Sequence, residues 1–214
     1  MHYIDISRTL DGDTPVYPGD IRVRLEDHKT AARDGYALRT LTTGMHAGTH
    51  IDFPAHFVAG GGMASDYPPE CFAGRGVLLD VRGRAVVTMK PEYGGMVREG
   101  DIVLLYTGHD TVYGTDGYYT DHPVVDDELC GFLIDCKVKM LGMDMPAPDR
   151  PPFPVHRRLL DSGIFLLENL TNLGALIGLD GFEVMAFPLR IAAEGSLVRA
   201  VCRATGGGEV LGNR

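Results

Sequence analysis

The sequence predicts a single α/β domain spanning residues 1–214, and three observations carry that expectation. Residues 75–81, 101–108 and 137–144 are short, nearly continuous apolar runs, as expected of strands covered on both faces. Helix-compatible stretches, including residues 126–135, separate them, so the middle of the chain alternates strand and helix. A chain of 214 residues, 44% of them hydrophobic, with no segment that reads as a linker, is long enough for one sizeable core.

In chain order, residues 2–10 read as a first strand, apolar at Tyr3, Ile4, Ile6 and Leu10, ending in a turn at 11–15. Residues 15–20 hold two prolines and a glycine around Tyr17 and form a stiff loop. Residues 21–26 alternate apolar and charged, the pattern of a half-buried strand, and residues 36–43 supply a second. These two are expected to pair antiparallel beside the segment that follows. Gly60, Gly61 and Gly62 read as a flexible loop, and residues 65–72 as a short helical turn. The connection 108–123 is long and rich in Gly, Asp and Tyr, and loops of that length are often functional. Prolines at 151–154 stop one element, a helix follows over 155–160, and a buried strand covers 164–170. Residues 182–189 and 196–204 read as two closing strands, with a loose glycine tail from Gly206.

Composition excludes several classes of partner. A net charge of −9 without a Lys/Arg cluster offers no face for nucleic acid. No apolar run approaches the roughly 20 residues of a membrane span, and the N-terminus lacks a basic region followed by an apolar one, so the protein is expected to be soluble and cytoplasmic. Cys71, Cys130, Cys136 and Cys202 are scattered without a paired spacing and read as reduced thiols.

The chemistry concentrates in residues 45–57. Gly48 and Pro54 disfavour a helix, and Thr49, Ile51 and Phe53 favour a strand. In an extended segment His46, Gly48, His50, Asp52, Pro54 and His56 share one face, while Ala47, Thr49, Ile51, Phe53, Ala55 and Phe57 share the other. Three imidazoles and a carboxylate on one face outline a metal site. With no thiolate among them, they suit zinc first, with manganese, iron, cobalt or nickel behind it. A second signal is Glu168, a charge inside the apolar strand 164–170. Its burial costs several kcal/mol unless it is paired or bound to a metal, which leaves Arg157, Arg190 or a cation as its partner.

The run H-x-G-T-H-x-D-x-P-x-H-F over residues 46–57 resembles the signature of the cyclase family of metal-dependent hydrolases, which includes bacterial kynurenine formamidases and isatin hydrolases. The resemblance extends over nearly the whole chain. It implies a mixed sheet or barrel flanked by helices, usually assembled as a homodimer. By matched position, it implies that His46, His50 and Asp52 hold one metal and that Asp52, His156 and Glu168 can hold a second, zinc or manganese. It further implies that His56 is the catalytic acid/base and that Tyr17 forms an aromatic wall beside a small aromatic amide. The activity expected from it is hydrolysis of N-formylkynurenine. Two departures favour an alternative cyclic amide, lactam or polyketide-like substrate: Tyr17 stands where kynurenine formamidases commonly carry Trp, and residues 144–149 lack the family's usual serine. A metal-binding homologue without catalysis is the third reading, and an intact His56 argues against it.

Overall fold

The computed structural model describes residues 3–205. Its strands in chain order are β1 (Tyr3–Asp5), β2 (Arg24–Lys29), β3 (Leu38–Thr42), β4 (His50–Asp52), β5 (Ala73–Asp80), β6 (Val86–Val87), β7 (Ile102–Tyr106), β8 (Val124–Val125), β9 (Met140–Met143), β10 (Phe165–Glu168), β11 (Phe182–Pro188) and β12 (Gly195–Ala204). The α-helices are α1 (Ala31–Asp34), α2 (Tyr93–Met96), α3 (Asp127–Asp135) and α4 (Pro154–Asp161).

The three apolar runs become β5, β7 and β9, which with β10 form a parallel ribbon in the order β5-β7-β9-β10. On its far side β5 pairs antiparallel with β11, and β11 with β12. Short β4 then bridges β10 and β12, antiparallel to both, and closes the sheet into a barrel. β1 pairs with residues 201–203 of β12, at the opposite end from the residues 195–197 that pair with β4.

Closure explains the continuous hydrophobicity of the central strands. Alternate residues Val103 and Leu105 of β7 face outward into a cluster with Leu129 and Leu133 of α3 and Leu159 and Leu160 of α4. Ile102 and Leu104 face inward and pack with Ile51, Leu167, Val184 and Ala200 from strands around the ring. Neither face of β7 meets water, so neither is polar. α3 begins where the sequence places it, with the Asp126 side chain accepting the Leu129 N–H at 2.8 Å as an N-cap.

Three expectations need correction. The first strand shrinks to β1, and His2, with the glycines from Gly206, lies outside the described residues. β2 and β3 do pair antiparallel, but as a separate two-stranded sheet whose residues are almost all exposed, not as half-buried strands beside β4. Their apolar–polar alternation marks one apolar face, and no part of the described chain covers it. Finally, Gly61 and Gly62 are tightly packed: a Cβ on Gly61 would lie 2.6 Å from the Pro54 carbonyl carbon.

Candidate metal centre

The histidine segment is extended only at His50–Asp52, where β10 and β12 grip it from both sides. Before β4 the chain turns at Gly48, whose φ of +59° is left-handed and suits glycine. After it, Pro54 opens a 3₁₀ turn over Pro54–His56, with the His56 N–H donating to the Phe53 carbonyl at 2.9 Å. The single two-residue alternation expected for 46–57 therefore fails. Convergence comes instead from the turns, which fold both ends back over β4: the His46 ring stacks on His56 at 4.1 Å between centroids and meets His50 edge-on at 5.1 Å. On the core side, Ile51 and Phe53 are fully buried.

Two other elements complete the cluster. The β4–β10 register sets Glu168 opposite His50, and the first turn of α4 presents His156. His46 Nδ1 lies 2.7 Å and His50 Nε2 3.3 Å from Asp52 Oδ1. His156 Nε2 lies 3.7 Å from Asp52 Oδ2 and 3.2 Å from Glu168 Oε1, and His50 Nε2 is 3.5 Å from Glu168 Oε2. Arg157 does not reach Glu168 but donates to the Phe57 carbonyl at 3.0 Å.

These residues fit a divalent cation. Two triads, His46/His50/Asp52 and Asp52/His156/Glu168, each offer ligand atoms within 4.8 Å of one another and share Asp52. His50 Nε2 and Glu168 Oε1 are buried without a well-formed hydrogen bond, an arrangement that a positive ion at that point satisfies. The electrostatics point the same way. Burial works against charge on His50, yet Asp52 and Glu168 outweigh it and push the ring up to about 10. His156 is likewise held well above the usual imidazole range against burial, by Asp149, Asp52 and Glu168, and His46 is raised by Asp52. Asp52, despite its burial, is held well below the carboxylate range by His46 and His50. The same carboxylates that favour protonated imidazoles favour a cation, so protons and metal compete for these nitrogens. His56 differs: burial dominates and lowers its pKa, which leaves it neutral at pH 7.

The sequence reading missed the groups that aim these ligands. Asp149 accepts the His156 Nδ1–H at 2.7 Å and the Val155 and His156 backbone N–H groups at 2.6 and 3.2 Å, so one carboxylate caps α4 and orients its imidazole. The Gly48 carbonyl accepts the His50 Nδ1–H at 2.8 Å. Glu194 Oε1 lies 3.3 Å from His46 Nε2. Asp149 and Glu194 stand in no local motif with their partners, so pattern alone could not have found them. Of the other histidines, His109 is half-buried, His122 buried and His28 exposed.

A cavity of about 300 Å³ opens over the cluster. Tyr17, Phe57, Tyr119 and Phe153 line it together with His56, and Tyr17 meets Tyr119 edge-on at 5.7 Å. Tyr119 belongs to the long loop that length alone marked as functional.

Residues 4–150 match the cyclase family model, described as "Putative cyclase". The chain is 30% identical over 210 residues to a kynurenine formamidase of Salinibacter ruber, covering 95% of this chain and 98% of that one. Among solved structures it is similar to isatin hydrolase A from Labrenzia aggregata bound to benzyl benzoate, with a TM-score of 0.83 at 25% identity over 96% and 94% of the two chains. It also shares its fold with a potential metal-dependent hydrolase with cyclase activity, at a TM-score of 0.77 and 21% identity over 96% and 98%. With its family signature at residues 46–57, a closed mixed barrel and a family match over most of its length, the chain belongs to the cyclase family.

Proposed function

We propose that this protein is a metal-dependent hydrolase of aryl formamides that converts N-formylkynurenine and water to kynurenine and formate. The observation that carries the reading is the convergence of two carboxylates and three histidines at the base of an aromatic-walled cavity, with one neutral histidine, His56, beside them. In this reading His46, His50 and Asp52 hold one ion, and Asp52, His156 and Glu168 hold another. Zinc is the first choice and manganese the alternative. Such an ion polarises a carbonyl oxygen and lowers the pKa of water. His56 then takes a proton from the attacking water and returns it to the nitrogen of the breaking C–N bond, so that the amine leaves. Tyr17, Tyr119 and Phe153 stack against the aryl ring and exclude water around it.

The likeness to isatin hydrolase and the presence of Tyr17 favour a second reading, hydrolysis of a cyclic aromatic amide at the same site. Elemental analysis of protein purified without chelator, with hydrolysis of N-formylkynurenine and isatin followed by ultraviolet absorbance, separates the two. Substrate turnover by metal-loaded protein and its loss with chelator are expected; bound metal without turnover of N-formylkynurenine rejects that substrate. His56→Ala is expected to lower kcat by roughly 10²–10⁴-fold with metal content unchanged, and an unaffected rate would remove His56 from the reaction.

The same reading includes a homodimer in the cytoplasm. The exposed apolar residues of the β2–β3 region, Ile21, Leu25, Leu38 and Leu41, support a second copy as their cover. All four cysteines are unpaired, which suits a reducing compartment. Among the described residues no helix is long and apolar enough to cross a membrane. Light scattering on the purified protein tests the dimer.

A further inference from the structure

Asn169 follows Glu168 with a left-handed φ of +57° and is 1% exposed. Its side chain uses both ends: Nδ2 donates to the Gly48 carbonyl at 2.9 Å, and Oδ1 accepts the Tyr118 hydroxyl at 2.7 Å. Its own carbonyl accepts the Thr49 hydroxyl at 2.9 Å. The Gly48 carbonyl that Asn169 holds is the same one that accepts the His50 Nδ1–H. A continuous chain of buried hydrogen bonds therefore runs Tyr118, Asn169, Gly48, His50. A carbonyl can only accept, so this chain keeps a proton on Nδ1 and turns Nε2 toward Asp52 and Glu168.

We infer that Tyr118 and Asn169 are positioning residues for the His50 side of the metal centre, and that the loop after β7 has two jobs at adjacent residues. Tyr118 anchors the ligand shell through Asn169, while Tyr119 faces the cavity. Tyr118 is well placed to act as an anchor, since its ring is fully buried, stacked on His109 and edge-on to Tyr113 and Tyr119, and its hydroxyl has one acceptor to reach. The inference rests on the metal-centre reading but not on any substrate.

The test uses zinc alone and needs no turnover. Tyr118→Phe removes only the hydroxyl; Asn169→Asp keeps the side-chain shape and the Tyr118 contact but replaces the donor to Gly48 by an acceptor. Tyr113→Phe is the control, because the Tyr113 hydroxyl lies in the same aromatic cluster and makes no hydrogen bond among the described residues. Zinc affinity, measured by competition with a chromophoric chelator, is expected to fall roughly 10-fold in both relay variants and to stay unchanged in the control. Ring ¹⁵N–¹H correlation spectra of the zinc-loaded protein are expected to show the slowly exchanging His50 Nδ1 proton in wild type and control and its loss or rapid exchange in Asn169→Asp. Wild-type affinity with an intact Nδ1–H signal in both relay variants overturns the inference. Equal weakening in all three variants also overturns it, since that pattern reports general packing. Absence of zinc binding by wild type sinks the metal-centre reading itself and is thereby distinguished.

Discussion

His122 shows how a single side chain sets a pH limit. Its ring is 2% exposed, and burial, helped by Arg150 and His109, lowers its pKa although Nδ1 is hydrogen-bonded to the Pro123 carbonyl at 2.9 Å. A folded-state pKa below the unfolded value of about 6.5 means that the unfolded chain binds the proton more readily. The contribution is intact above pH 6.5 and is lost as pH falls below it. Compared in chelator, the Tm of wild type minus that of His122→Asn should shrink from pH 7.5 to pH 5; a constant difference would show that His122 does not titrate on unfolding. At this scale the sequence was partly legible. His46, His50, Asp52 and His56 announce themselves because they crowd one short segment, whereas Asp149, Asn169 and Tyr118 act on partners that only the fold brings near.

Among the elements, the 3₁₀ turn that carries His56 depends on its neighbour across the loop. The Ala55 N–H donates to the Gly62 carbonyl at 3.1 Å, and a Cβ on Gly61 would fall 2.6 Å from the Pro54 carbonyl carbon and 2.7 Å from the Ala55 nitrogen. Both are backbone atoms, so no side chain can swing aside. Gly61→Ala should cost about 1–3 kcal/mol by chemical denaturation and displace His56 from His46, with a larger loss in kcat than in zinc affinity. Unchanged stability would mean that the loop relaxes freely. Strand positions in the middle of the chain were legible because burial on both faces leaves a continuous apolar record. The exposure of β2 and β3 was not, since alternation reports that one face is apolar and is silent on what covers it. Nor was the break at Gly48, where a glycine within a strand-like pattern reversed the chain.

For the molecule as a whole, the candidate metal centre concentrates buried charge. Asp52 and Glu168 are buried beside three histidines, and His50 Nε2 and Glu168 Oε1 have no hydrogen-bond partner among the described residues. Ligand that binds only the folded state stabilises it by RT ln(1 + [L]/Kd), so zinc at 100-fold its Kd should add about 2.7 kcal/mol. Thermal melts with zinc and with chelator check this, and coincident curves would mean that the folded protein has no preference for the ion. A mixed sheet or barrel followed from the family likeness, and the central strands from their apolar runs, but the order of the strands did not. How the ring shuts did not, because the closing strand is three residues long and its two partners lie more than a hundred residues away.

That closure has a bearing on synthesis. His50–Asp52 is hydrogen-bonded on one side to Leu166–Glu168 and on the other to Gly195–Leu197. A chain still threaded through the ribosome presents its histidines early, yet until its final strand emerges it has only β10 to pair with the strand that carries them. The wall around the pocket is consequently complete only once residue 197 has been made, although every candidate ligand, from His46 to Glu168, is made before it.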